Sequence, residues 1–161
     1  MQASVLHDWL LALENSGLGQ TMRQSLVLYP VVEVLHILGF ILLFAGIALF
    51  DLRLLGLARG LPLAQLARIC LPMAGGGLLL AISMGLLLFS TEASHLAANP
   101  AFQIKLLLIL LGLLNVAAFH WGWRGSQGQW REPTLPARAG AAASLAIWTG
   151  VVIFGRLIAY V

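Results

Sequence analysis

Four apolar runs, each close to the length needed to cross a bilayer, dominate this chain of 161 residues. They cover about residues 30–50, 70–89, 102–120 and 139–161. A helix needs about 20 predominantly apolar residues to span the hydrocarbon layer. Only 9% of the residues are charged and 60% are hydrophobic. So short a chain has too little interior to hide that much apolar surface from water. Intrinsic disorder is excluded as well, because it requires low hydrophobicity and high charge. Lipid is the remaining solvent. Without water to satisfy open backbone groups, each run is expected to be a helix.

The expected fold class is therefore all-α: a single domain, residues 1–161, built as an integral membrane bundle of four transmembrane helices. Residues 4–16 precede the first span. Val5, Leu6, Trp9, Leu10 and Leu13 recur there on one helical face, with Asp8 and Glu14 elsewhere. This spacing predicts a short amphipathic interfacial helix, and Gly17 is placed to end it. Met1 to Leu13 lacks the basic region of a signal peptide. A second short helical piece, Gln20 to Tyr29, leads to Pro30, which either starts the first span or kinks a longer helix. Glycines inside the spans let helix backbones approach closely. Gly75, Gly76 and Gly77 together predict tight packing or a local kink.

Orientation follows from the basic residues in the short loops. Arg53, Arg59 and Arg68 follow the first span, and Arg124, Arg131 and Arg138 follow the third. Arg23, Lys105 and Arg156 fall on the other side. Both Arg-bearing loops are then cytoplasmic and both termini periplasmic, in a bacterial inner (plasma) membrane. The partner this implies is the lipid bilayer, with a membrane-protein partner or a second copy of the chain left open. Basic residues scattered singly make no nucleic-acid patch. The lone Cys70 excludes an internal disulfide. Trp121, Trp123, Trp130, Tyr29 and Tyr160 lie near span ends, as aromatic belts do.

Ionisable groups at membrane depth are functional candidates by default. Glu33 and His36 share one face of the first span. Counted from Pro30, they lie about 5 Å and about 9 Å deep. Lys105 and Arg156 enter from the same side, and Glu92 and His95 follow the second span there. Three readings of this outer-leaflet band stand side by side. The first is a buried ion-pair network, chiefly Glu33 with Arg156 or Lys105. The second is a metal site. Glu33-Val34-Leu35-His36 and Glu92-Ala93-Ser94-His95 are both E-x-x-H, the motif of di-iron bundles. Lys105 and Arg156 stand where such bundles carry a Glu, so the expectation reduces to a mononuclear site of His36, His95 and Glu92. The third is a b-type haem with His36 as axial ligand, Lys105 or Arg156 meeting a propionate, and Tyr160 beside them. His120 is too far from His36 to ligate the same haem, and His95 reaches it only if the second helix starts deeper. The sequence names no catalytic group.

At the inner face, Asp51, Arg53, His120 and Arg124 form a second polar group, with Asn115 nearby. An Asp51–Arg68 or Asp51–His120 contact locking the loops is the expectation there. Only Ser83, Asn115, Ser144 and Thr149 lie between the bands, too few for a proton path.

Several pieces together carry a resemblance. They are Met22-Arg23-Gln24-Ser25, Leu28-Tyr29-Pro30, Glu33-Val34-Leu35-His36-Ile37-Leu38-Gly39 and Asp51-Leu52-Arg53-Leu54-Leu55-Gly56. Asn99-Pro100-Ala101-Phe102 with Lys105, Asn115 with Phe119-His120, Pro136-Ala137-Arg138, and Gly155-Arg156 with Ala159-Tyr160 complete the set. The chain resembles, over nearly its whole length, a family of bacterial four-helix inner-membrane proteins known only as a domain of unknown function. The resemblance implies the fold and the membrane and brings no activity with it. His36, with a third span that opens on Lys105 and ends on His120, is also loosely similar to the four-helix membrane proteins of copper resistance and haem pathways.

Overall fold

The computed structural model describes residues 2–57, 59–125 and 133–161. Trp130 and Arg131, and the side chains of Trp123 and Arg124, lie outside the described residues. Every element among the described residues is a helix: α1 (Gln2–Glu14), α2 (Gly17–Gln24), α3 (Leu28–Leu55), α4 (Leu63–Phe89), α5 (Ala93–Ala98), α6 (Pro100–Gly125) and α7 (Leu135–Leu157). The four expected spans are α3, α4, α6 and α7, each long and apolar enough to cross a membrane. Their outer faces stay apolar where they meet no other helix. Ile69 is 68% and Leu79 is 70% exposed, an arrangement suited to lipid rather than water.

The helices run past the apolar runs at several ends. α3 continues through Asp51 and Arg53 to Leu55, and α4 begins at Leu63, so Arg68 is helical rather than in a loop. What stops α3 is Gly56, at φ 109°. Its N–H bonds the Arg53 carbonyl and the Leu57 N–H bonds the Leu52 carbonyl, a left-handed cap that suits glycine. Arg53 then clamps the following turn, donating to the carbonyls of Leu61 at 2.8 Å and Arg59 at 3.1 Å.

Two local expectations change near the N-terminus. Gly17 opens α2 rather than merely closing α1, because the Ser16 hydroxyl accepts the Gly19 N–H and caps the new helix. Pro30 neither starts nor kinks the first span. It lies in the first turn of α3, where its missing N–H leaves no bond broken. The Leu28 N–H is taken by the Ser25 hydroxyl at 3.0 Å.

α3 packs most closely on α4. A Cβ on Gly39 would stand 2.6 Å from the Ala81 nitrogen, and one on Gly46 would stand 2.6 Å from the Cys70 carbonyl oxygen. Gly77 returns the contact onto the backbone of Gly39 and Leu43. Gly39 and Gly46, seven residues apart, thus face a stripe of Cys70, Ala74, Gly77 and Ala81, the small-residue packing that holds helices together in lipid. α7 lies against both α3 and α6. Trp148 of α7, 1% exposed, fills the centre with Leu43, Ile47, Ala74 and Val151. The six-membered ring of its indole lies over Gly112 of α6.

The short helices gather at one end of the bundle. α5 packs on α1 and leads into α6. Asn99 ties this end together. Its side-chain oxygen accepts the N–H groups of Ala101 and Phe102, while its amide donates to the carbonyls of Ile158 and Val161. Both chain termini therefore lie at the same end. On α1, Val5, Leu6 and Trp9 remain exposed, the face an interfacial helix would sink into the headgroup layer.

Candidate functional site

His36 lies on the face of α3 turned to α4. Its Nδ1 is 2.8 Å from the Ala81 carbonyl oxygen. A carbonyl only accepts, so Nδ1 carries the proton and the lone pair of the neutral ring sits on Nε2. Gly85 makes the seat. A Cβ there would stand 3.0 Å from the His36 Cε1. Sequence reasoning named His36 but not its seat. The signal was the run of small residues Gly77, Ala81 and Gly85 at four-residue spacing, one face of a helix.

Lys105 approaches from α6 and is half-buried. Its aliphatic stem and Nζ lie against Gly155 of α7, where a Cβ would come 3.4 Å from Nζ. Lys105 and Glu33 are both close enough for their charges to bear on the His36 ring. Glu33, with Glu92, also acts on Tyr29. Of the band expected from the sequence, Lys105 and Glu33 are the members whose charges bear on His36.

Its internal bonding differs from the expectation. Among the described residues, no lysine or arginine nitrogen lies within 4.0 Å of a carboxylate oxygen. The Glu33 pairing with Arg156 or Lys105 is not formed. Glu33 is exposed, and Arg156 turns outward to donate to the Tyr160 hydroxyl at 2.7 Å, its guanidinium 5.1 Å from that ring's centre.

The mononuclear metal set is not assembled either. Among the described residues no group of three His, Cys, Asp or Glu side chains is placed to hold a metal. The reason is local. Glu92 is the N-cap of α5, outside the helical residues, and its side chain is exposed. His95 is exposed on α5, and that helix is held to α1 rather than turned into the bundle. The tie is Glu14. Its Oε1 accepts the N–H and the hydroxyl of Ser94, each at 2.6 Å. These two bonds, the hydroxyl's first, hold the Glu14 carboxyl below the usual glutamate range, with Arg23 and His7 adding smaller effects.

At the other end, Asp51 makes no hydrogen bond to Arg68 or His120; Ser144 of α7 lines the same cavity, near enough to act on its carboxyl. Asn115 donates to the Gly140 carbonyl at 3.1 Å, and His120 Nδ1 to its own helix at Val116 at 3.2 Å. Ser83 likewise bonds its own helix, at Leu79.

The class defined by this fold is a polytopic α-helical membrane protein with contact to the lipid bilayer. The chain matches no family model, no curated protein and no solved structure.

Proposed function

We propose that the protein binds a small anionic cofactor in the outer half of the bundle, at His36 and Lys105, and that this cofactor is a b-type haem serving electron transfer. One observation carries this reading: His36 donates Nδ1–H to the Ala81 carbonyl, which leaves Nε2 as the ligand atom. A histidine that ligates a metal almost always makes such a bond with its other nitrogen, which fixes tautomer and ring plane. Lys105 supports it. A half-buried cation with no carboxylate in ion-pair reach among the described residues suits a propionate.

On this reading the haem iron supplies one-electron chemistry when bound. The chain's own residues do the rest. Ala81 and Gly85 orient His36, Lys105 neutralises the anionic edge, and the apolar helix faces exclude water. The ion-pair core loses its support here, since its partners do not meet.

The wider assignment agrees with the charge pattern. The chain is a multi-pass protein of a bacterial inner membrane, of the four-helix family it resembles, with both termini periplasmic.

The test is the absorbance of detergent-purified protein, with haemin added where needed. A Soret band is expected that His36→Ala abolishes, that Lys105→Ala weakens, and that His95→Ala leaves intact. Gly85→Leu keeps the imidazole but unseats it, and should lose or shift the band. Folded wild-type protein that stays colourless with haemin present overturns the proposal.

A further inference from the structure

The second polar group lies about 22 Å along α3 from His36, at 1.5 Å per residue, and the outer site makes no use of it. Asp51 is only 7% exposed. One carboxyl oxygen, Oδ2, has no hydrogen-bond partner. Asp51 borders a cavity of about 40 Å³ to which all four spans contribute, with Leu71, Asn115, His120 and Ser144 also in its wall. A cavity needs about 10–15 Å³ on this measure to hold one water, so there is room for an ion with part of its hydration shell.

The wall has a definite chemistry. Asn115 gives its amide N–H to Gly140, which leaves its side-chain oxygen free to accept. Ser144 lies in the same wall as Asp51. Oxygen-bearing side chains from α3, α6 and α7 therefore line one chamber. His120 is the other titratable group in the wall, and its Nδ1 is held by Val116. No basic side chain among the described residues neutralises Asp51. Arg53, two residues on, is committed to the Leu61 and Arg59 carbonyls. A carboxylate this buried, with Oδ2 unpartnered and no counter-charge, is costly unless a cation joins it. Hard cations take oxygen ligands, and a single carboxylate balances a single positive charge.

We propose that this inner chamber binds a partly hydrated monovalent cation of sodium size, held by the Asp51 carboxylate, the Ser144 hydroxyl and the Asn115 side-chain oxygen. Na⁺ would then link α3, α6 and α7 and stabilise the native bundle by mass action.

The experiment is thermal unfolding of the purified full chain as NaCl replaces choline chloride at constant ionic strength and alkaline pH. The expected result is a saturable rise in Tm of several degrees with Na⁺ alone. Asp51→Asn, which keeps the shape and removes the charge, should abolish the rise. Ser144→Ala and Asn115→Ala should move its midpoint to higher Na⁺. If Asp51→Asn does not fold, direct ²²Na⁺ binding to wild type and Ser144→Ala decides instead. Equal Tm in the two salts, or a Na⁺ response that survives in Asp51→Asn, overturns the proposal. So does a Tm that ignores Na⁺ and tracks pH through Asp51, since the carboxyl is then protonated.

Discussion

At Glu14 a single carboxylate acts as a helix cap from outside the helix. It accepts both the backbone N–H and the hydroxyl of Ser94, in the first turn of α5, and so fastens α1 to α5. Its acidity is shifted in the folded protein, the carboxyl titrating below its ordinary range. The contribution is therefore complete above the ordinary glutamate range and lost as pH falls through the lower folded value. In water-exposed surroundings it is worth about 1 kcal/mol. Acidification below the glutamate range should loosen α1 from α5, seen as faster amide exchange in residues 93–98 while the spans stay protected. Glu14→Gln should show the loosened exchange at neutral pH and no further acid response. An unchanged exchange pattern in that variant would remove Glu14 from the account. This contact was illegible in the sequence. Glu14 and Ser94 are 80 residues apart, and an acidic residue near a helix end is ordinarily just solvated.

At the scale of elements, the α3–α4 contact separates three neighbouring glycines. A Cβ added at Gly75 or Gly76 would meet nothing within 4 Å, whereas Gly77 lies on the backbone of Gly39 and Leu43. The sequence predicted close packing for the trio without saying which member makes it, because the rotation of a helix about its axis depends on its neighbour. Gly77→Ala should cost about 1–3 kcal/mol through overpacking. Gly75→Ala and Gly76→Ala should be neutral or mildly stabilising, since alanine is the better helix former. Unfolding of the three variants in mixed micelles checks this, and equal losses at all three positions would refute the assigned face. The two E-x-x-H copies differ in the same way: Glu33 and His36 lie within the continuous α3, whereas Glu92 is the N-cap of the short α5.

Over the whole molecule, the bundle gathers α1, α2, α5 and both termini at one end, secured by the hold of Asn99 on Ile158 and Val161. The turn clamped by Arg53 lies at the other end. In the orientation proposed from charge asymmetry, that turn faces the cytoplasm. A reporter that works only in the periplasm should be active when fused after Val161 and silent when inserted at Gly60. The reverse pattern would invert the protein in the membrane without altering its fold.

The sequence by itself determined the solvent, the helical class and the four crossings. Each of those follows from local hydrophobicity and from the backbone's need to satisfy its own hydrogen bonds in lipid. It also named His36, Lys105 and Asp51, because charge at membrane depth is rare enough to stand out. Tertiary structure decided what these groups meet. The register of α3 on α4 directed the His36 Nδ1 proton to Ala81 and left the lone pair of the neutral ring on Nε2. The approach of α7 provided Asp51 with a serine and a cavity in place of an arginine. Such outcomes depend on the relative rotation and depth of packed helices, which no single span encodes.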